Sequence, residues 1–234
     1  MATPDFSTLE KKLNISFENK TLLKQAFTHR SFINENKNEK LEHNERLEFL
    51  GDAVLELAAT SFLYKKYPRR NEGELTSFRA ALVNTNTLAG VALDLGFNNF
   101  LLLSKGESKD TGRARQYILA DTFEAVIGAI YIDQGYVTAY NFIEEHLLKL
   151  TDNIVESGSW IDAKSYFQEK SQELLSITPV YETIQEEGPD HNKYFTVVVK
   201  IKEEKIATGK GKSKQEAEQD AARKALEKKE WMPV

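Results

Sequence analysis

The apolar residues of this chain repeat with two different periods, and the period changes near residue 160. From residue 6 to about residue 150 they recur every 3.6 residues, which is typical of successive amphipathic helices with short polar breaks. Residues 151–160 mix turn-forming residues and show neither period, which predicts a linker. Residues 5–150 are therefore predicted to form an all-α domain.

The region after the linker, residues 161–230, has the pattern of a small mixed domain. Helical spacing at 162–175 and 213–229 flanks three segments with strand character, at 180–184, 194–202 and 205–209. The middle segment alternates four apolar residues onto one face, namely Phe195, Val197, Val199 and Ile201. The order α-β-β-β-α predicts an α+β fold with helices on one face of an antiparallel sheet. The chain as a whole is predicted to be multidomain.

Composition excludes several classes of protein. The 234 residues contain no cysteine, which rules out disulfide scaffolds, thiol nucleophiles and cysteine-ligated zinc. No run of 18 apolar residues and no signal-peptide pattern is visible, so we expect a cytoplasmic protein without a membrane partner. The formal net charge of -5 argues mildly against a nucleic-acid partner, unless basic residues cluster locally.

The segment at residues 44–56, NERLEFLGDAVLE, places acids on one stripe of a predicted helix. Glu45, Glu48, Asp52 and Glu56 share that stripe, and the opposite side carries Leu47, Leu50, Val54, Leu57 and Ser61. An ordinary amphipathic helix with a solvated acidic face has the same pattern. Phe49 lies among the acids, where a solvated face gains nothing from an aromatic ring, and this position favours a partner surface such as a dimer contact.

A second acidic segment lies at residues 118–130, on a helix that is apolar nearly all round and should be buried. Asp121 and Glu124 share a stripe with Gly128, which would let another helix approach closely. Buried carboxylates need a compensating charge. A divalent cation could supply it, and so could a distant arginine.

Four carboxylates on two helices, without a histidine ligand pair, favour a hard cation such as Mg²⁺. Mg²⁺ bound in this way activates water and steadies a leaving oxygen in phosphodiester hydrolysis. The residues alone therefore lead to Mg²⁺-dependent phosphoryl chemistry and no further.

The motifs ERLEFLGD at residues 45–52 and ADTFEA at residues 120–125 resemble the two acidic signatures of the ribonuclease III family. The likeness extends from LKQAFTHRS at residues 23–31 to about residue 230. It implies that Glu48, Asp52, Asp121 and Glu124 bind metal, with Asp52 and Glu124 most directly catalytic. It also implies that Glu45 and Glu72 are accessory acids of a valley shared by two subunits, and that Phe49 inserts into the partner of a homodimer.

The C-terminal region resembles the double-stranded RNA-binding domain, which reads the shape of A-form RNA with little base readout. The resemblance implies RNA contacts from Gln168 and Glu169 on the first helix, and from His191 and Lys193 in the loop GPDHNKYF at residues 188–195. It further implies phosphate contacts from Lys210, Lys212 and Lys214 around the start of the last helix, where the helix N-terminus already favours anions. Gln215 replaces a lysine that the family often has. Taken singly, these features are also typical of ordinary turns and solvated strand edges.

The combined likeness implies a homodimeric endoribonuclease that hydrolyses double-stranded RNA with Mg²⁺, or with Mn²⁺ as a substitute, and without an organic cofactor. Its products would carry 5′-phosphate and 3′-hydroxyl ends with two-nucleotide 3′ overhangs, and precursors of ribosomal RNA and other structured RNAs would be substrates. The alternative is a cleavage-inactive RNA-binding protein acting in RNA folding or ribosome assembly. A small-substrate Mg²⁺ phosphohydrolase fails to explain the C-terminal domain.

Overall fold

The computed structural model describes residues 4–37, 41–189 and 193–232. The chain divides into two compact units, one ending at Trp160 and the other beginning at Ile161. No helix in these described ranges is long and apolar enough to cross a membrane.

The first unit is all-α, as expected. Its helices are α1 (Phe6–Leu13), α2 (Lys20–Ala26), α3 (Arg30–Glu35), α4 (Glu45–Lys66), α5 (Glu72–Leu82), α6 (Thr85–Asp94), α7 (Arg113–His146) and α8 (Thr151–Glu156). Side chains of Asp5, Asn19, Asn71 and Asn84 cap the first turns of four of them.

The two longest helices, α4 and α7, pack along each other at the centre of this unit. Phe123, Val126 and Ile127 of α7 are fully buried, in agreement with a helix predicted to be apolar nearly all round. The backbone of α7 leaves helical geometry at Gly135 (φ 80°, ψ -179°), which divides this long helix into two parts. Asp133 accepts hydrogen bonds from the backbone N–H groups of Glu18 and Asn19.

The burial of α4 differs from the expected one at Leu57. That side chain was placed on the buried side of the helix, yet it is 56% exposed, while Leu55 and Ala59 are buried instead. Contact with α7 therefore rotates the buried face of α4 away from Leu57, which the apolar periodicity of one helix does not show.

The prediction that residues 151–160 form a linker without regular structure is wrong. Thr151–Glu156 form α8, Thr151 is fully buried, and α8 packs against α5. Beyond the helix, the ring of Trp160 lies edge-on to Phe78 at 4.7 Å between ring centroids. These contacts of Thr151 and Trp160 attach the stretch to the first unit. Its many turn-forming residues gave no sign of them.

The second unit has the predicted order α-β-β-β-α. It contains α9 (Ala163–Leu175), β1 (Val180–Glu187), β2 (Tyr194–Ile201), β3 (Glu204–Gly211) and α10 (Lys214–Lys229), and the antiparallel sheet has the order β1-β2-β3. Val199 and Ile201, two of the four residues expected to share a face of β2, pack with Phe167 of α9 and Leu226 of α10. Val198, on the other face, is also buried, so burial along β2 alternates less than expected. Ser213 caps α10 by accepting a hydrogen bond from the Glu216 N–H.

Candidate functional site

The candidate site forms where α4 and α7 cross. A Cβ atom added to Gly51 would overlap the backbone carbonyl of Glu124, and one added to Gly128 would overlap the carbonyl of Leu47. The two helix backbones therefore touch, which residues with side chains would prevent. The expected close approach at Gly128 is confirmed, and Gly51 supplies the matching gap on α4.

Three carboxylates meet beside this crossing, and we call them the acid cluster: Glu48 of α4 and Asp121 and Glu124 of α7. Each offers an oxygen, and these oxygens lie within 4.8 Å of one another. Asp52, one turn after Glu48, is exposed and lies outside the group, although its charge acts on both Glu48 and Glu124. The structure thus gathers three of the four acids expected to bind metal and places the fourth beside them.

The carboxyl groups of the acid cluster hold their protons unusually strongly. Burial raises the pKa of Glu124 to about 8, and the negative charge of Asp52 is the next largest cause. Burial also raises the pKa of Glu48 to about 7 and raises the pKa of Asp121. The charged neighbours that shift the pKa of Glu48 and Glu124 are all carboxylates, so the negative charges of the ionised cluster repel one another.

A hard divalent cation fits this donor set. The cluster offers carboxylate oxygens alone, which are the ligands that Mg²⁺ and similar ions prefer. The other counter-charge considered from the sequence was a distant arginine. Ion pairs of Arg30, Arg70 and Arg79 go instead to carboxylates outside the cluster, namely Glu45, Glu74 and Glu56.

The two expected accessory acids lie outside the acid cluster. Glu45 begins α4, and its oxygens lie 3.5 Å from Arg30 Nη1 and 3.7 Å from His43 Nδ1. Glu72 begins α5, is exposed, and accepts a hydrogen bond of 3.2 Å from the Thr76 hydroxyl.

Phe49, the expected dimer contact, is 81% exposed. It lines a hollow of about 450 Å³ together with four apolar residues, Leu22, Leu47, Leu50 and Ile132, and three polar ones, Gln25, Glu42 and Arg46. Ile132 of α7 is itself 52% exposed. An exposed aromatic knob and a mostly apolar hollow therefore lie on one patch, as a surface that pairs with its own copy requires.

Two charged residues next to this site, Glu56 and Arg79, have no role that their sequence patterns predicted. Glu56, the last acid of the α4 stripe, pairs with Arg79 of α5 at 2.9 Å between Oε2 and Nε. The position of Glu56 on the stripe was a visible signal. Arg79 gave none, because its partner is 23 positions away and the pairing depends on how α5 packs on α4.

The residues expected to bind RNA lie on separate elements of the second unit. Gln168 and Glu169 are exposed on α9, and Lys193 immediately precedes β2. His191 lies outside the described residues. Lys210, Lys212 and Lys214 are all exposed, on and just after β3 and at the first turn of α10.

Lys214 has two neighbours in the free chain. Its Nζ lies 2.9 Å from Glu186 Oε1 and 5.6 Å from the centre of the Phe195 ring. Glu186 and Phe195 are directly opposed on β1 and β2, so both contact Lys214 at the same position of the sheet. An RNA phosphate at this position would have to compete with Glu186.

Comparison with known families assigns both units. Residues 19–151 match the family model described as Ribonuclease-III-like, and residues 163–229 match the double-stranded RNA binding motif. The first unit is also similar to the nuclease domain of ribonuclease III from Campylobacter jejuni. That likeness has a TM-score of 0.55 and 40% sequence identity, and it covers 61% of this chain and 98% of that one.

Relatives of the whole chain agree with these matches. Ribonuclease 3 of Oceanobacillus iheyensis is 46% identical over 224 residues, which cover 95% of this chain and 97% of the relative. Ribonuclease 3 of Bdellovibrio bacteriovorus is 44% identical and covers 95% of both chains. With the acid cluster in the matched nuclease region and the mixed unit in the matched RNA-binding region, the chain belongs to the ribonuclease III family.

Proposed function

We propose that this endoribonuclease cuts double-stranded RNA by Mg²⁺-dependent hydrolysis at the acid cluster. The observation that carries the proposal is the convergence of three carboxylates, where burial and the neighbouring carboxylates also raise the pKa of Glu48 and Glu124. The double-stranded RNA-binding domain supplies the substrate class. A cleavage-inactive relative would be expected to have lost central acids, whereas all four are present here.

Each acid has a proposed part in the reaction. Glu48, Asp121 and Glu124 would hold the cation, because their oxygens converge. Bound there, Mg²⁺ supplies an activated water and stabilises charge on the leaving oxygen. Asp52 is exposed beside the cluster, so its carboxylate is open to the incoming phosphodiester and its water. This arrangement supports direct catalytic roles for Asp52 and Glu124, with Glu45 and Glu72 as accessory acids of the valley.

The chemistry of the product ends tests this proposal. A long RNA duplex labelled on each strand is incubated with the full chain and Mg²⁺, and the product ends are mapped. We expect 5′-phosphates, 3′-hydroxyls and two-nucleotide 3′ overhangs. Products with 2′,3′-cyclic phosphates would contradict hydrolysis by a metal-activated water, because they arise from attack by the RNA's own 2′-hydroxyl. Roles in processing ribosomal RNA precursors, and a cytoplasmic location, stay predictions.

Cation binding is expected to stabilise the protein more strongly at high pH than at low pH. The carboxyls of Glu48 and Glu124 have a pKa of about 7 and about 8 in the folded chain, against 4.5 as the ordinary value. Between pH 4.5 and 8 the folded state binds more protons than the unfolded state, so these groups lower stability as pH rises. A cation replaces those protons and removes the penalty.

Thermal melting with and without Mg²⁺ at pH 5.5 and pH 8 measures this effect. At ten times its dissociation constant, the cation should add about 1.4 kcal/mol, or about 3 to 6 °C, at pH 8. The gain should nearly vanish at pH 5.5. Equal gains in melting temperature at both pH values would show that the cation binds elsewhere. Glu182→Gln changes an exposed acid of the second unit, and this control variant should show the same pH-dependent gain as the wild type.

We also propose a homodimer joined through the Phe49 patch. Phe49→Asp places a charge on the knob, and burying an unpaired charge costs several kcal/mol, so the dimer should dissociate at micromolar concentration. Sedimentation velocity measures the change. Leu93→Asp, at an exposed leucine of α6 outside the hollow, is the matched control and should remain dimeric. An unchanged profile for Phe49→Asp would contradict the assigned contact.

RNA binding is expected to depend on the lysines around the start of α10. Lys212→Ala combined with Lys214→Ala should lower duplex affinity at least tenfold and reduce the slope of log affinity against log salt by about 1 to 2, because two phosphate contacts disappear. Lys205→Ala, at the other end of β3, is the control and should change neither quantity much. An unaltered salt slope in the double variant would exclude phosphate contacts there.

A further inference from the structure

Glu56 extends the acidic stripe of α4 beyond the acids that the family resemblance covers. It follows Asp52 by four residues and therefore lies one helical turn further along the same face. Its carboxylate lies two helical turns beyond Glu48 on that face, and its charge therefore adds to the negative charge around the cluster. The negative field at the acid cluster thus includes a residue outside the group of converging oxygens.

Arg79 of α5 holds Glu56 in a fixed position. Its Nε lies 2.9 Å from Glu56 Oε2, and its Nη1 donates a hydrogen bond of 2.9 Å to the Thr60 hydroxyl. Glu56 and Thr60 are one turn apart on α4, so the guanidinium is fixed at two points along that helix. About a third of each charged side chain is exposed, at 34% for Arg79 and 37% for Glu56. A pair this accessible to water contributes little to folding.

We propose that Arg79 is a positioning residue which, by holding Glu56 and neutralising part of its charge, sets the strength with which the acid cluster binds a divalent cation. Glu56 makes the field at the cluster more negative and therefore attracts the cation. Arg79 offsets that charge and keeps the carboxylate directed towards α5. The inference rests on the proposed function, because it concerns the same cation site.

Removing the charge of Glu56 and removing the charge of Arg79 should change cation affinity in opposite directions. If the ion pair only held α4 and α5 together, both changes would act in the same direction. Glu56→Gln removes a negative charge about two helical turns from Glu48 on the same face of α4, and should weaken cation binding about three- to tenfold. Arg79→Gln leaves Glu56 without its counter-charge and should tighten binding by a similar factor. The double variant should return close to the wild-type affinity, because both charges are gone.

Calorimetric titration of the full chain with Mn²⁺, in the absence of RNA, measures these affinities independently of cleavage. The matched control is another ion pair between helices on α4, Lys66 with Asp152 of α8, at 2.6 Å. Lys66→Gln removes a comparable tie at the far end of α4 and should leave Mn²⁺ affinity unchanged. Melting temperatures, recorded for every variant, separate any loss of fold from a change in the site.

Arg79→Lys covers the case in which Arg79→Gln fails to fold. It keeps the positive charge but loses the fork that reaches Glu56 and Thr60 together, and we expect an Mn²⁺ affinity within about twofold of wild type. Loss of affinity in both Glu56→Gln and Arg79→Gln, or no change in either, would overturn the proposal. Wild-type protein that neither binds Mn²⁺ nor cuts RNA would instead contradict the proposed function itself.

Discussion

Glu124→Gln is expected to lower the rate of duplex RNA cleavage at least about a thousandfold, while leaving duplex affinity within about twofold of wild type. The substitution keeps the size of the side chain but removes one of the three converging carboxylates. RNA affinity should survive, because the residues expected to bind RNA lie in the second unit. Cleavage under single-turnover conditions and binding in Ca²⁺ give the two readouts.

The same substitution should also stabilise the metal-free protein. The pKa of Glu124 is raised to about 8, chiefly by burial, so its ionised form is disfavoured in the folded chain. A neutral amide avoids that penalty, and the melting temperature of metal-free protein at pH 8.5 should rise. Glu144→Gln, at an exposed acid further along α7, is the control and should keep full cleavage. Parallel loss of binding and cleavage in Glu124→Gln would contradict separate binding and catalytic units.

Gly51→Ala is expected to destabilise the first unit by about 3 kcal/mol or more, because a Cβ atom there would overlap the backbone of α7. The helices would have to separate, which also pulls Glu48 away from Asp121 and Glu124. We therefore expect a fall in melting temperature of about 6 to 12 °C, together with loss of cleavage.

Gly90→Ala is the matched control for this effect. Gly90 also lies within a helix, α6, but a Cβ atom there would meet nothing within 4 Å. Alanine is the better helix former, so this variant should be stabilised by up to about 1 kcal/mol. If Gly51→Ala melts at the same temperature as Gly90→Ala, the close contact between α4 and α7 is wrong.

Local sequence patterns predicted much of the fold because each pattern reports the environment of its own segment. Val199 and Ile201 alternate because one face of β2 packs on helices. Asp121, Glu124 and Gly128 share a stripe because α7 faces α4 along it. In each case the residues that define the buried face are near one another in the sequence.

The features that escaped prediction depend on residues far apart in the sequence. The stretch at 151–160 resembled a linker because Trp160 finds its aromatic partner, Phe78, more than 80 positions earlier. Leu57 was placed on the wrong face because contact with α7 selects which side of α4 is buried.

The acids show the same limit. Spacing along α4 could not separate Glu48, which joins the acid cluster, from Asp52, which stands exposed beside it. The crossing of two helices makes that distinction. Net charge was even less informative, since the value of -5 includes the very carboxylates that a cation would neutralise.

The most direct test is the cation requirement for cutting duplex RNA. A long RNA duplex and one of its single strands are each incubated with the full chain in Mg²⁺, in Ca²⁺ and in a chelator, and the products are sized. We predict short duplex products in Mg²⁺ only, because Ca²⁺ is larger and takes more ligands in a different geometry. Cleavage of the duplex in the chelator, or equal cleavage of the single strand, would contradict a cation-dependent, duplex-specific nuclease built on Glu48, Asp121 and Glu124.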